Sequence, residues 1–219
     1  MAATVLAHKS TCAGAMLISI GRVVCGALAG SLLSLWMPAP AGADEVAQLW
    51  AALRQGEAVA VMRHAVAPGT GDPASFRLDD CSTQRNLSEE GRAQARAIGE
   101  RFRAHGIERA KVYSSQWCRC LETARLLDLG PVETVAALNS FFQNRQQGPA
   151  QTAEVLELLA ASPSEDPIVL VTHQVNVTAL TEVFPQSGEV VVARPNEGGG
   201  LDVLGRIPPP GERPPARRN

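Results

Sequence analysis

The sequence predicts a single α/β domain of three layers, in which helices flank a mainly parallel central sheet. Short apolar runs alternate along the chain with segments of helical periodicity, which favours parallel strands joined by right-handed crossovers. Some of these runs are apolar at every position, as in strands that are buried on both faces. The chain has 219 residues, of which 45% are hydrophobic and 19% charged. That composition suits one domain with a sizeable core.

Residues 1–43 are predicted to be a cleavable signal peptide. Residues 23–37 form an apolar run of about signal-peptide length, and an Ala-x-Ala pattern ends at Ala43. Cleavage after Ala43 would make the mature protein periplasmic or secreted. An uncleaved membrane anchor is the alternative, but the run is short for a bilayer span. The segment before the run is long for a signal peptide, so the true start could also lie downstream of Met1.

The domain itself is predicted to cover residues 44–206, with helices set by apolar periodicity and end signals. Ser88 is a suitable N-cap with acidic residues after it, and Gly106 suits the position just past the end of the same helix. The predicted helices cover residues 46–53, 89–105, 119–127, 150–161 and 175–183.

The strands are predicted from apolar and β-branched runs. They cover residues 58–62, 111–114, 132–136, 167–172, 189–193 and 201–205, and the last two should form an antiparallel hairpin at one edge of the sheet. Residues 65–86 form a long loop rich in Gly, Pro, Asp and Ser, which we expect to be the lip of a pocket. Residues 207–219 are rich in Pro and Arg and are predicted to be disordered.

The overall charge gives no field for nucleic acid or for an anionic membrane. The net charge is −2 for the whole chain, and removal of residues 1–43 would leave 18 basic against 22 acidic residues. We therefore predict no nucleic-acid partner and no stable membrane insertion once the signal is cleaved. The sequence does not predict an oligomeric state.

Three cysteines remain in the mature chain, in what should be an oxidising compartment. Cys118 and Cys120 lie two residues apart on a predicted helix, so they point about 200° from each other. Cys81 can therefore reach only one of the two, and either could be its disulfide partner. A Cys-x-Cys pair without a nearby histidine or second pair is a poor zinc pattern, so no metal site is predicted.

Cationic side chains follow three of the predicted strands. Arg63 and His64 come directly after the first strand, Arg119 follows the 111–114 strand at the start of a helix, and His173 follows the 167–172 strand. In open α/β sheets, ligands bind just past the carboxyl ends of the strands. Two arginines and two histidines there predict a compact pocket that binds an anion.

The same residues carry a resemblance to a known family. Arg63-His64-Ala65, the segment from Ser114 to Ala124 (SSQWCRCLETA), and a late strand ending in His173 are similar to the motifs of the histidine phosphatase superfamily. The resemblance covers roughly residues 45–206 and implies a phosphoglycerate-mutase-like fold. Ala65 stands where the family usually has glycine, and Gln116 stands where it has proline.

The resemblance implies phosphate-ester hydrolysis by a metal-independent histidine phosphatase. His64 would attack phosphorus as a neutral imidazole and form a phosphohistidine, which water then cleaves. Arg63, Arg119 and His173 would bind the phosphoryl oxygens, since guanidinium forks match phosphate geometry. Neither a metal nor an organic cofactor is implied.

One role in this chemistry has no obvious residue. Many relatives carry an acidic proton donor after the strand that follows the Arg119 helix, whereas residues 137–142 here contain no carboxylate. Asp79 and Asp80 in the lip loop are the candidates that the sequence offers. Their alternative role is that of solvated loop acids beside Cys81.

The sequence thus predicts a periplasmic phosphatase that acts on a small phosphomonoester, such as a sugar phosphate or a cell-envelope phosphate. It resembles a type that includes phosphatases of lipopolysaccharide core heptose. A phosphohistidine phosphatase is an alternative, although its substrates are normally cytoplasmic. A non-catalytic phosphate- or sugar-phosphate-binding protein of the same fold is the other alternative, because of the missing acid.

Overall fold

A six-stranded sheet forms the centre of the protein in the computed structural model, which describes residues 41–162 and 166–212. The strands are β1 (Val59–Arg63), β2 (Lys111–Ser114), β3 (Val132–Thr134), β4 (Ile168–Thr172), β5 (Val190–Pro195) and β6 (Leu201–Ile207). Their order is β3-β2-β4-β1-β5-β6. The first four are parallel to one another, and β5 and β6 form an antiparallel hairpin at one edge. The predicted fold class is confirmed.

Four of the five α-helices in the described residues connect strands, and the first precedes β1. The five helices are α1 (Ala41–Arg54), α2 (Glu89–Ala104), α3 (Cys118–Leu127), α4 (Gly148–Ala161) and α5 (Gln174–Thr181). Helices α2 to α5 lie close to their predicted positions, whereas α1 begins five residues before the predicted start at Val46 and so includes residues 41–43 of the predicted signal peptide. Strand β3 is shorter than predicted because a 3₁₀ turn begins at Ala136. Of the helices in the described ranges, none is both long and apolar enough to cross a membrane.

The sheet has an apolar core on each face, which gives the three layers. Alternate residues of β1 enter different cores: Ala60 and Met62 pack with residues of α1, α2 and α3, whereas Val59 and Val61 pack with residues of α4 and α5. Strand β4 is buried at all five positions between β1 and β2. This explains why both strands are apolar runs rather than alternating patterns.

Helix α2 packs tightly against the loop that follows β1. The Ser88 side chain accepts a hydrogen bond from the Gly91 N–H at 3.1 Å, which is the predicted N-cap. A Cβ atom on Gly91 would lie 2.0 Å from the carbonyl oxygen of Val66, so only glycine allows this approach. The loop immediately after His64 is therefore held by the start of α2.

The structure can be compared with the predicted domain boundary near residue 207. Strand β6 extends to Ile207, which is buried, and Arg101 Nη1 donates to the carbonyl oxygen of Pro208 at 2.6 Å. The prediction of disorder from residue 207 is therefore wrong for these first residues, because their apolar side chains close the end of the core. Residues 213–219 and most of the predicted signal peptide (1–40) lie outside the described residues.

Candidate active site

The four predicted cationic residues meet in one pocket at the carboxyl ends of β1, β2 and β4. Arg63 ends β1, His64 follows it, Arg119 lies in the first turn of α3, and His173 follows β4. The His64 and His173 rings are 5.6 Å apart, and Arg119 lies between them. Its Nε is 3.3 Å from Nε2 of His64, and its Nη2 is 3.4 Å from Nδ1 of His173.

His64 is held in the form that a nucleophile requires. Its side chain is almost fully buried, and Nδ1 lies 2.8 Å from the carbonyl oxygen of Ala65. A carbonyl can only accept, so Nδ1 carries the proton and Nε2 keeps a free electron pair that faces Arg119. Burial lowers the pKa of His64 well below its usual value, and the Arg119 charge lowers that pKa further. The imidazole is therefore neutral at physiological pH.

His173 is positioned by a chain of polar groups at the end of β2. Its Nε2 lies 2.9 Å from Ser115 Oγ, and Ser115 Oγ donates to Asn139 Oδ1 at 3.2 Å. Asn139 and Gln116 exchange two hydrogen bonds, one from the Gln116 backbone N–H and one to its side-chain oxygen. Gln116 therefore supports the site where the family usually has proline.

Nδ1 is the nitrogen of His173 that faces the anion site. This nitrogen accepts a hydrogen bond from Arg119, so it carries no proton and the ring is neutral in the absence of an anion. Burial is the largest cause that lowers the pKa of His173 well below its usual value, followed by the charges of His64 and Arg119. A bound anion would oppose these effects and favour a proton on Nδ1.

Arg63 has an unused donor in the pocket. Its Nη1 donates to the carbonyl oxygen of Pro185 at 3.2 Å, but its buried Nε has no hydrogen-bond partner among the described residues. Burial, followed by the Arg119 charge, lowers the pKa of Arg63 from its usual value. A buried donor without a partner costs roughly 1–3 kcal/mol, so an acceptor that reached this nitrogen would relieve that cost.

Asp72 is the carboxylate of this pocket, and it was not predicted from the sequence. Arg119 donates to both of its oxygens, from Nη1 at 2.7 Å and from Nη2 at 3.1 Å, and Trp117 Nε1 donates to Oδ2 at 3.1 Å. Burial alone would raise the pKa of Asp72, but these hydrogen bonds outweigh burial and leave the pKa below its usual value. Nothing in the turn-like segment Gly-Thr-Gly-Asp-Pro marks this aspartate as a site residue.

The two acids that the sequence offered as proton donors do not lie in the pocket. Asp79 is largely exposed and pairs with Arg77 at 3.5 Å, and the Asp80 side chain caps the 3₁₀ turn that begins at Cys81. Their prediction as proton donors is therefore corrected: they are solvated loop acids. They directly precede Cys81, which is bonded to Cys118 at the start of α3.

The lip loop itself is confirmed as part of the pocket wall. Arg85, a further cation of the pocket, donates from Nε to the carbonyl oxygen of Gly71 at 2.8 Å and from Nη1 to that of Ala67. The far end of the loop is joined to α3 by a disulfide between Cys81 and Cys118. The loop is thus fixed at two points on either side of Asp72.

The disulfide resolves the alternative that the sequence left open. Cys118 pairs with Cys81, whereas Cys120 is a buried free thiol on the opposite side of α3. Burial raises the pKa of Cys120 to about 12, so its reactive thiolate is scarce. We expect peptide mapping of oxidised protein to find the 81–118 bridge, and Ellman's reagent to label Cys120 only after unfolding.

Loss of the bridge should also be measurable as stability. The bridged cysteines are 37 residues apart, so replacing both with serine should lower the free energy of unfolding by about 3–4 kcal/mol under oxidising conditions. In reductant the wild type and this double variant should unfold alike. A bridge to Cys120, or equal stability under both conditions, would contradict this assignment.

Aromatic residues form the outer part of the pocket. Phe76 and Trp117 stack with ring centroids 4.9 Å apart, and Phe142 is 45% exposed on the same pocket. The pocket is therefore cationic at its base and apolar at its mouth. Within the described ranges, no group of three or more His, Cys, Asp or Glu side chains is placed to hold a metal ion.

Comparison with known proteins agrees with this geometry. The model of the histidine phosphatase superfamily (branch 1) matches residues 59–152, a range that includes Arg63, His64 and Arg119. No curated protein sequence is similar enough to this chain to count as a match.

Solved structures share the fold at low sequence identity. The protein histidine phosphatase SixA, complexed with tungstate, is 16% identical, has a TM-score of 0.52, and aligns over 69% of this chain and 96% of its own. A phosphoserine phosphatase from Entamoeba histolytica is 14% identical, has a TM-score of 0.50, and aligns over 68% and 95%. The YhfR protein of Bacillus stearothermophilus is 17% identical, has a TM-score of 0.50, and aligns over 67% and 94%.

Proposed function

We propose that this chain, of which residues 59–152 match the model of the histidine phosphatase superfamily (branch 1), is a member of that superfamily and hydrolyses phosphomonoesters through a phosphohistidine on His64. The observation that carries the proposal is the Nε2 electron pair of His64, which faces the guanidinium of Arg119 in a pocket with two more arginines. A nucleophile and an anion-binding site thus share one position. Such an arrangement suits attack on a phosphoryl group rather than simple binding.

The reaction proceeds in two steps. In the first, Nε2 of His64 forms a bond to phosphorus, and the bond to the leaving oxygen breaks. Arg63 and Arg119 neutralise the phosphoryl oxygens, and His173 contributes a further hydrogen bond from Nδ1 once the anion has favoured its protonation. In the second step water attacks phosphorus, and the electron pair of the N–P bond returns to His64.

We propose that this activity needs no metal, because three arginines already supply the positive charge. The test is turnover of p-nitrophenyl phosphate by the protein in the presence of EDTA, with acid quenching during turnover. A phosphoenzyme that is labile to acid and stable to base should be recovered on His64. Binding of inorganic phosphate without any turnover would instead support a non-catalytic binding protein, and a strict need for a divalent metal would refute the proposed mechanism.

The substrate is proposed to be a small ester with a ring in its leaving group, such as a sugar phosphate. The aromatic mouth formed by Phe76, Trp117 and Phe142 supports this, since aromatic faces stack on rings. A panel of sugar phosphates, linear alkyl phosphates, envelope fragments and a phosphohistidine peptide would test it. Preference for the peptide would support a phosphohistidine phosphatase instead.

The site of action is proposed to be the periplasm or the exterior of the cell, where the 81–118 disulfide can form. Protein recovered from the envelope fraction should begin at Asp44 when its N-terminus is sequenced. A full-length protein in the cytosolic fraction would contradict this prediction.

The lowered pKa of His64 has a consequence for the pH profile. For an ordinary imidazole, the neutral fraction would fall about 25-fold between pH 7 and pH 5. Since the pKa of His64 is lowered well below its usual value, kcat/KM for an aryl phosphate, corrected for the ionisation of the ester itself, should show no such loss over that range. An acid limb centred near pH 6.5 would contradict this.

The same shifts predict that stability falls in acid. Below pH 6.5 the unfolded chain takes up protons on His64 and His173, while the folded protein does not, because both pKa values are lowered by burial. The free energy of unfolding should therefore decrease as the pH is lowered below 6.5. Urea unfolding at a series of pH values would measure this.

A further inference from the structure

Asp72 shares a donor of Arg119, Nη2, with the edge of the guanidinium that faces His64 and His173. The two terminal nitrogens of Arg119 bind the two carboxylate oxygens of Asp72, while Nε of the same guanidinium donates to His64 Nε2. Asp72 is 10% exposed, and it also accepts from the Arg85 backbone N–H at 3.2 Å and from Trp117. One guanidinium therefore separates this carboxylate from the nucleophile.

A phosphoryl group within reach of His64 would compete with this carboxylate for Arg119 Nη2, because the Nε–Nη2 edge of the guanidinium faces the two histidines. Guanidinium groups bind phosphate and carboxylate in the same planar manner, so a phosphoryl group on that edge weakens the hold of Arg119 on the carboxylate. Two glycines precede Asp72 in this turn, and the space beside the second is open. Gly69 and Gly71 both have positive φ, at +90° and +70°, and a Cβ atom on Gly71 would meet nothing within 4 Å.

We propose that Asp72, displaced from Arg119 by the phosphoryl group, is the proton donor to the leaving-group oxygen. This inference rests on the proposed function, since it supplies the acid that a phosphohistidine mechanism needs. Asp72 is the one carboxylate among the residues that line the described pocket. Once it leaves Arg119 it stays beside the same phosphoryl group that took its place.

Protons balance over the whole cycle. The ester arrives as its monoanion, and its proton passes to Asp72 as Arg119 takes the phosphoryl oxygens. Asp72 gives that proton to the leaving oxygen while His64 attacks. The resulting carboxylate then takes a proton from the water that attacks phosphorus, and phosphate leaves as its monoanion with that proton while Asp72 returns to Arg119 as a carboxylate.

Electrostatics support this order of events. The hydrogen bonds from Arg119 are the main cause that holds the pKa of Asp72 down, and they are lost when the phosphoryl group binds. Burial remains and raises the pKa, and the negative phosphoryl charge raises it further. Asp72 is therefore a carboxylate in the empty pocket and a proton carrier in the occupied one.

The test compares leaving groups in an Asp72→Asn variant. Asparagine keeps one acceptor oxygen, which can take the hydrogen bond from the Arg85 N–H or the one from Trp117 but not both. The thermal unfolding of the variant is therefore measured beside its activity, to show that the loop keeps its structure. The readout is kcat/KM for p-nitrophenyl phosphate divided by kcat/KM for glycerol phosphate. A nitrophenolate can leave without being protonated, whereas an alkoxide needs a proton. Loss of the proton donor should therefore slow the hydrolysis of glycerol phosphate much more, and this ratio should rise about 100-fold or more in the variant.

Changes in phosphate binding cancel in the ratio because they affect both esters. Asp79→Asn, an exposed acid in the same loop, is the matched control and should leave the ratio unchanged. The variant should also accumulate phosphohistidine with the aryl ester, because the attacking water has lost its base. An unchanged ratio with normal or raised activity on both esters would show that Asp72 only competes for Arg119, and would overturn the proposal.

Failure of this proposal can be told apart from failure of the proposed function. If wild-type protein forms phosphohistidine but Asp72→Asn does not alter the ratio, only the role of Asp72 is wrong. If wild-type protein hydrolyses neither ester and forms no phosphoenzyme, the phosphatase mechanism itself is wrong.

Discussion

Replacing His64 with alanine should abolish turnover, with a fall in kcat on the order of 10⁴-fold or more. The reason is that neither His173 nor Cys120 can take the place of His64 in forming the covalent intermediate. Nδ1 of His173 faces Arg119, and the Cys120 thiol stays protonated because burial raises its pKa to about 12. The measurement is steady-state hydrolysis of p-nitrophenyl phosphate, together with the amount of acid-quenched phosphoenzyme.

The same variant should keep part of its affinity for orthovanadate, because Arg63 and Arg119 remain. His105→Ala is the matched control: His105 is half-buried and stacks on Trp50, away from the pocket. It should cost some stability and leave kcat for the folded protein unchanged. Near-normal turnover by His64→Ala would show that another nucleophile operates.

Arg119→Ala should have the second largest effect, a loss on the order of 10³-fold in kcat/KM. This guanidinium contacts His64, His173 and Asp72 at once, so its removal takes away charge that both the bound ester and the transition state require. Unlike His64→Ala, this variant should lose most of its vanadate affinity.

Stability must be measured beside activity for this variant. Removing Arg119 leaves the Asp72 carboxylate unpaired at 10% exposure, which should cost about 3–5 kcal/mol. Arg119→Lys keeps the charge but not the fork, so it should recover most of the stability and little of the activity. Arg125→Ala, an exposed arginine on the same helix, should change neither. Full activity of Arg119→Lys would show that charge alone matters.

The sequence predicts those parts of the fold and the site in which burial and chain order both constrain the residues. The apolar runs of β1 and β4 can be recognised because both strands are buried on two faces, and the residues that follow them have to lie at one edge of a parallel sheet. This is why the amino-acid pattern alone predicts that Arg63, His64 and His173 meet in one pocket. Ser88 and Gly106 mark the ends of α2 for reasons that are local to the helix.

The lip loop cannot be predicted in the same way. Its course depends on contacts that are far apart in sequence, such as Arg85 with two loop carbonyls and Asp72 with Arg119 across 47 residues. No periodicity distinguishes Asp72 from Asp79 or Asp80, although one is buried in the pocket and the others face solvent. The tail boundary was misplaced for a related reason: Ile207 and Pro208 are covered by neighbours that a local pattern does not show.

The strand order has a consequence for when the site can come into being. Strands β1 and β2 are neighbours in the chain, yet neither pairs with the other, since β4 lies between them and hydrogen-bonds to both. A chain that ends before β4 lacks the strand that holds β1 and β2 side by side, so we expect that it does not hold His64 beside Arg119. Contacts over such separations close slowly. The active site can therefore form only after β4 has been synthesised. A fragment that ends before β4 should be cleaved readily by proteases and should have no activity.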